Sequence, residues 1–261
     1  MEGDTVLVAA GTYSPSTNSE VFPIEMASGI HLIGSGEDVS IIDAQQTDRV
    51  ITMEDCDNNI ISDLTITGGL ADSYGGGMNL HTSDPILTNV TIANNTANNG
   101  GGGMYLNYSD PIMTNSIIWD NSPQSIYTSS GTPLITYSDI EGGWEGEGNL
   151  DDNPQFTDPD NGDYTLMETS PCIDTGTIIE DMEYCGSYPD MGAYEYCEEE
   201  CGAALGDVNG DSEINIFDLV QIANLILEVS TPAYECAADY NGDGEVNILD
   251  LVQIANYILD N

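Results

Sequence analysis

Short alternations of apolar and polar residues recur through the first 150 positions, each bounded by Gly, Asn, Asp or Ser. Ile30–Ile33, Val50–Met53, Ile60–Ile66, Met78–Leu80, Ile86–Ile92 and Met104–Leu106 are examples. A period of two over three to seven residues predicts short strands, and no stretch before residue 150 keeps helical spacing over eleven residues. Beyond residue 215 the pattern changes. Ile216, Phe217, Leu219, Val220, Ile222, Ala223, Ile226 and Leu227 follow helical spacing, and Ile248, Leu249, Leu251, Val252, Ile254, Ala255, Ile258 and Leu259 repeat it. Two amphipathic helices are predicted there.

The strand region repeats itself. Gly75-Gly76-Gly77-Met78-Asn79-Leu80 returns as Gly101-Gly102-Gly103-Met104-Tyr105-Leu106, and Ser83-Asp84-Pro85-Ile86 returns as Ser109-Asp110-Pro111-Ile112, both 26 residues on. Thr132-Pro133-Leu134-Ile135-Thr136 follows at a spacing of 22. Two or three short strands per period with glycines at the corners describe a parallel β-helix, whose coils pair with the coils above and below. Asp63, Asn89 and Asn115 hold equivalent places, which predicts a ladder of polar side chains at one corner. The Thr and Asn residues between apolar ones are expected to face solvent.

The predicted architecture is mainly β. Residues 1–195 form a parallel β-helix with a closing segment, 196–206 a cysteine-bearing linker, and 207–260 a small α-helical module. Charge narrows the partners. The 261 residues carry 46 Asp and Glu against one Arg, for a formal net charge of −45. Nucleic acid needs Lys or Arg to neutralise its phosphates, and only Arg49 is present, so it is excluded. Anionic membrane surfaces are repelled for the same reason. Cations, neutral glycans and proteins remain. No apolar run approaches the ~18 residues of a membrane span, and Met1-Glu2-Gly3-Asp4 is no signal sequence, so a secreted protein would be represented here by its mature form or a fragment.

The tail carries the sharpest chemistry. Residues 207–218 read Asp-Val-Asn-Gly-Asp-Ser-Glu-Ile-Asn-Ile-Phe-Asp, and residues 239–250 read Asp-Tyr-Asn-Gly-Asp-Gly-Glu-Val-Asn-Ile-Leu-Asp. Oxygen-bearing side chains fall at loop positions 1, 3, 5, 9 and 12, the spacing with which a twelve-residue loop surrounds calcium. Asp207, Asn209, Asp211, the carbonyl of Glu213, Asn215 and Asp218 make one predicted Ca2+ site. Asp239, Asn241, Asp243, Glu245, Asn247 and Asp250 make the second. Position 12 is Asp, with a shorter reach than Glu. Position 6 is Gly244 in the second loop but Ser212 in the first, where a sharp turn strains a residue with a Cβ.

Two resemblances follow from these residues. Residues 1–195 resemble right-handed parallel β-helix proteins of bacterial surfaces, including the choice-of-anchor Q family. The likeness rests on Gly3-Asp4-Thr5-Val6-Leu7-Val8, Gly11-Thr12-Tyr13, Asn153-Pro154-Gln155-Phe156, Ser170-Pro171-Cys172-Ile173-Asp174 and Asp190-Met191-Gly192-Ala193-Tyr194-Glu195. Residues 203–260 resemble the type I dockerin module, with Asp-Leu-Val-Gln-Ile-Ala-Asn identical at 218–224 and 250–256. That resemblance implies a cohesin-like partner. It also gives Ile216, Phe217, Ile248 and Leu249, at loop positions 10 and 11, a part in choosing it, in either of two orientations.

The expectation is a non-catalytic, extracellular or cell-surface structural protein that attaches through a calcium-dependent tail. Polyuronate lyases commonly use Arg or Lys, which this chain nearly lacks. A glycoside hydrolase docked to a scaffold is the enzymatic alternative, and it would need two carboxylates flanking the scissile bond. No pair stands out, and no catalytic residue is assigned. A further alternative is head-to-tail assembly with another copy of the chain, because no cap precedes the first strand motif at residue 3. Six cysteines suit an oxidising compartment. Cys172 with Cys185 and Cys201 with Cys236 are the expected pairs, leaving Cys56 and Cys197 unassigned. Asp158, Asp160, Asn161 and Asp163 are expected to form a turn in preference to a cation site.

Overall fold

The computed structural model describes residues 3–35, 39–180, 182–197, 201–227, 229–242 and 246–260. The chain divides into two units, Met1–Cys197 and Glu198–Asn261.

The first unit is a β-solenoid. Asp4–Val8, Ile30–Gly34, Ile60–Thr67, Ile86–Ala93, Ile112–Thr114 and Leu134–Thr136 lie side by side in one sheet, joined by further short strands. Ile24–Met26, Ile51–Glu54, Met78–His81, Met104–Asn107 and Ile126–Ser130 form a second sheet, one strand from each of five coils. All these pairings are parallel. Ile60 lies beside Ile86, which lies beside Ile112 and then Leu134, so the 26- and 22-residue spacings of the sequence are the lengths of whole coils.

Alternation decides what is buried. Met53, Leu80 and Leu106 point inward on the second sheet and are fully buried, as are Ile61, Leu87 and Met113 on the first. Dry, β-branched and Leu/Met columns of this kind supply most of the driving force for folding. The triple glycines have a steric cause. A Cβ on Gly76 would lie 2.4 Å from the Thr96 carbonyl oxygen, and one on Gly102 would lie 2.3 Å from that of Ser122. The coils approach too closely there for any side chain.

Corner residues hold the coils in register. Asp63, Asn89, Asn115 and Tyr137 all adopt left-handed backbone with φ between 48° and 57°. Asn and Asp tolerate this region better than most residues, which explains their recurrence. The expected ladder forms only in part. Asn89 Nδ2 donates to Asp63 Oδ1 at 2.9 Å, but Asn115 turns to the closing segment, where it donates to the Thr177 carbonyl and accepts from its amide, both at 2.8 Å.

The deeper ladder uses other residues. Asn95 is fully buried; its Oδ1 accepts from Gly69 N–H at 2.8 Å and its Nδ2 reaches the carbonyls of Ile66 and Ala93, both at 3.0 Å. Asn121 Oδ1 accepts from the Asn95 amide at 3.0 Å, and Asn121 Nδ2 donates to the Ile92 carbonyl at 2.8 Å. Buried serines do the same at other corners: Ser109 accepts from Ser83 N–H, and Ser138 from Ser116 N–H.

Residues 150–197 close over the outer face of the first sheet. The solvent-facing threonines expected there are instead covered. Thr65 donates to the Tyr194 hydroxyl at 3.0 Å, and Thr91 accepts from Ala193 N–H at 3.0 Å. A separate buried cluster of Ile41, Ala93, Ile117, Phe156, Tyr164, Leu166, Met191 and Tyr194 fills the space beneath. Asp158–Asp163 forms the expected turn: Pro159–Asn161 is a short 3-10 helix, and Asn161 Nδ2 donates to Asp158 Oδ2 at 2.8 Å.

The cysteine pairing corrects one expectation. Cys185 is bonded to Cys197, not to Cys172. Cys172 is a fully buried free thiol whose Sγ donates to Asp139 Oδ2 at 3.3 Å, because the closing segment carries it under the sheet and away from Cys185. Cys56 is likewise free and buried, at the corner position that Ser83 and Ser109 occupy in later coils; its N–H donates to Ser83 Oγ.

Burial pushes the Asp139 carboxyl up to about 6, although the Asp152 amide and the Cys172 thiol favour its charged form. In the unfolded chain such a group titrates near ~4. The folded state therefore binds more protons, and the stability this group contributes is whole below about pH 4 and lost as pH rises through 6. Asp139→Asn is expected to reduce the loss of first-unit stability between pH 5 and pH 8 by about 1.5 kcal/mol. Urea unfolding at the two pH values measures it; an unchanged difference would mean that Asp139 is not the group responsible.

Candidate functional site

The second unit is built from two loop–helix repeats. Helix α1 spans Ile216–Ile226 and helix α2 spans Ile248–Asp260. A short 3-10 helix, Glu235–Ala238, precedes the second loop. Val208, Ile222, Ala237, Ala238 and Ile254 form the buried core, with Leu219 and Leu251 packed against it. The expected bond between Cys201 and Cys236 is formed and ties the segment before the first loop to the segment before the second. The linker expected at 196–206 is divided by these bonds: Cys197 belongs to the first unit and Cys201 to the second.

In the first loop the acidic residues organise backbone. Asp207 Oδ1 accepts from the amides of Gly210 at 2.8 Å and Asp211 at 3.1 Å, while its Oδ2 accepts from Ser212 at 2.8 Å. Asn209 Oδ1 accepts from Asp211 N–H and Asp211 Oδ1 from Glu213 N–H, at 2.8 and 2.9 Å. Asp218 reaches back from α1 to take the amides of Asn209 at 3.3 Å and Asn215 at 2.9 Å. Asn215 in turn caps the helix by accepting from Phe217 N–H, so Asn215 and Asp218 form a reciprocal capping box. Ser212 has φ 69°, the strained turn expected of a non-glycine at loop position 6.

The second loop repeats these bonds where it is described. Asp250 accepts from Asn241 N–H at 3.1 Å and Asn247 N–H at 2.9 Å, Asp239 Oδ1 accepts from Gly242 N–H, and Asn247 Oδ1 accepts from Leu249 N–H. The predicted ligands Asp243 and Glu245, with Gly244, lie outside the described residues.

The donor chemistry suits a hard cation. Asp207, Asp218 and Asp250 are buried carboxylates, 3%, 0% and 0% exposed, in a chain with no Lys and a single Arg. Burying a carboxylate is costly unless it is paired or coordinates a metal. Among the described residues no three His, Cys, Asp or Glu side chains converge as a closed metal cage. The loop instead mixes carboxylates with the amide oxygens of Asn209 and Asn215 and the Glu213 carbonyl, the oxygen types that calcium accepts.

Where each loop runs into its helix, α1 and α2 present matching apolar residues. Ile216 and Phe217 are 59% and 68% exposed, and Ile248 and Leu249 are 61% and 57% exposed. Val220 and Val252 repeat the correspondence one turn on. The even choice left by the sequence, between core packing and partner contact, falls to solvent for these six side chains. Ile222 and Ile254 serve as core.

A β-solenoid is thus followed in one chain by a duplicated loop–helix unit. Residues 205–259 match the family model for the Dockerin type I domain, and residues 28–146 match that for the Right handed beta helix region. The first unit is thus similar over residues 28–146 to right-handed β-helix regions, and the tail over residues 205–259 to the dockerin type I domain. Type I dockerin domains bind calcium and dock to cohesin domains, so a protein partner and calcium binding follow from the tail. Neither match carries the choice-of-anchor Q label. No curated protein and no solved structure matches the chain. Dockerin-bearing β-helix proteins are typically extracellular or on the cell surface. No helix among the described residues is long and apolar enough to cross a membrane.

Proposed function

We propose that this chain is a non-catalytic extracellular attachment protein, in which the β-helix is displayed through a tail that docks to a cohesin-like domain. The observation that carries the reading is the matched set of exposed apolar residues on α1 and α2, each set held at the end of an acidic loop. Exposed apolar side chains grouped on a folded surface mark an interaction site. Two Ca2+ ions are expected, one per loop, each fixing the start of the helix that bears those residues. Near-absence of Lys and Arg supports the non-catalytic reading against a polyuronate lyase.

Phe217→Asp and Leu249→Asp test the docking face. Because the repeats are nearly equivalent, either substitution alone is expected to weaken binding to an immobilised cohesin domain by less than about tenfold. The double variant is expected to lose more than about a hundredfold, the scale of two lost apolar anchors. Binding by the double variant at wild-type strength would remove this face from the interface. Sedimentation of the intact chain in calcium supplies the second reading: growth into long species would assign the tail to another copy of the chain.

A further inference from the structure

Residues 185–197 form a strap over the first sheet, tied end to end by the Cys185–Cys197 bond. Its hold on the sheet is a short run of hydrogen bonds. Gly192 N–H donates to the Asn115 carbonyl at 2.9 Å and Ala193 N–H to Thr91 Oγ1 at 3.0 Å. The Tyr194 hydroxyl accepts from Thr65 and donates to the Ser40 carbonyl, both at 3.0 Å. Glu195 follows immediately. Its Oε1 accepts from the Asp190 amide at 3.0 Å, but its Oε2 is shut off from solvent and accepts from no donor. Ionisation spreads the charge over both oxygens, one of which has neither water nor an N–H beside it. A buried carboxylate in that setting is costly, whereas the neutral acid is far less so.

No counter-charge offsets that cost. Asp190, which accepts from the amides of Asp174 at 2.8 Å and Tyr196 at 2.6 Å, repels Glu195 from within the strap, and Asp174 adds to the repulsion. Asp63 and Asn89 of the sheet, with Glu180 and Glu183 from the approach to the strap, line the same cavity of about 840 Å3 as Glu195. Tyr184 and Tyr194 are its other titratable groups, and no basic residue lines it. Burial, reinforced by Asp190, pushes Glu195 up to about 7, although the amides of Asp190 and Cys185 favour its charged form. Burial raises Asp190 as well. Freed from the sheet and hydrated, the Glu195 carboxyl titrates near ~4. The closed strap therefore holds the proton more tightly than the open one. The support this gives to closure is whole below about pH 4 and lost as pH rises through 7.

We propose that residues 185–197 are a proton-operated latch: with Glu195 protonated the strap is closed on the first sheet, and loss of that proton lifts it, uncovering Thr65, Thr91 and the cavity. Because Cys185 and Cys197 stay joined, the two ends of the strap remain together and what lifts is a closed loop. The latch lies wholly in the first unit and works independently of how the tail docks.

Hydrogen exchange on the intact chain in calcium tests it, read by mass spectrometry at about pH 6 and about pH 8 and corrected for the intrinsic base-catalysed rate. Protection of residues 190–197 is expected to fall about tenfold relative to the solenoid strand Ile86–Ala93, the ratio set by a carboxyl that titrates at about 7 when closed and ~4 when open. Glu195→Gln, of the same shape and neutral at both pH values, is expected to keep its protection within about threefold. Strap protection that follows the solenoid strand at both pH values would overturn the proposal. So would an undiminished tenfold loss in Glu195→Gln. If that variant melts well below wild type, the 13C resonance of the wild-type Glu195 carboxyl decides. A midpoint near 7 supports the latch, and one below about 5 overturns it.

Discussion

Excess EGTA is expected to unfold Glu198–Asn261 while the solenoid keeps its β-type circular dichroism and its thermal transition. The reason lies in the ligands. Asp207, Asp211 and Asp218 crowd one loop, and Asp218 and Asp250 are fully buried at the first turns of α1 and α2. Without a cation these carboxylates repel, and their desolvation is offset only by backbone amides. Because the site exists only in the folded state, metal binding free energy becomes folding free energy. At a calcium concentration a thousandfold above Kd this amounts to about 4 kcal/mol, a large share of what a unit of this size can hold. The core of Val208, Ile222, Ala237, Ala238 and Ile254 is small, so little else compensates. The Cys201–Cys236 bond restricts the unfolded chain, and chelation with reduction should therefore lower the transition further than chelation alone. Far-UV circular dichroism of the helical signal, with and without EGTA, measures the effect. Full helicity in EGTA would mean that the carboxylates are satisfied by the backbone alone.

Asn95→Ala is expected to be the most damaging single substitution in the solenoid, costing about 4 kcal/mol of first-unit stability. The side chain is wholly buried and serves three backbone groups, Gly69 N–H and the carbonyls of Ile66 and Ala93, besides meeting Asn121. Alanine removes all of these partners at once and leaves buried polar groups bare, each at about 1–3 kcal/mol. Asn98→Ala serves as control: Asn98 is exposed and its side chain makes a single 3.3 Å bond, to the Asp72 carbonyl. Its cost should stay within ~0.5 kcal/mol. Urea unfolding of the two variants distinguishes them. Equal midpoints would show that the Asn95–Asn121 ladder carries no more than a surface contact.

These effects separate what a linear reading reaches from what it misses. The two acidic loops were legible because the expected oxygen ligands of each fall within twelve consecutive residues, and the coil length was legible because paired strands must repeat at the spacing of one turn. The helix faces were legible as stripes, but not in their division. Leu219 and Ile222 turn to the core while Phe217 and Val220 turn to solvent, and only the placement of α1 separates them. Asn95 and Asn121 recur at 26 residues just as Asn89 and Asn115 do. Recurrence alone does not tell a buried corner from one covered by another segment.

By itself, then, the sequence determined the periodic and local features: the solenoid, its coil length, the two acidic loops, the helix pair and the Cys201–Cys236 staple. Each follows from spacing within a repeat, where the backbone period places side chains without reference to distant residues. Tertiary structure alone decided the rest. Residues 150–197 have no repeat, and their path over the first sheet is fixed by burial of Phe156, Tyr164, Met191 and Tyr194 against Ile41, Ala93 and Ile117. That path carries Cys172 to Asp139, leaves Cys185 to Cys197, covers Thr65 and Thr91, and brings Glu195 to the same cavity as Asn89, more than a hundred residues away. Such meetings depend on how surfaces of different coils fit one another, and spacing along the chain does not encode them.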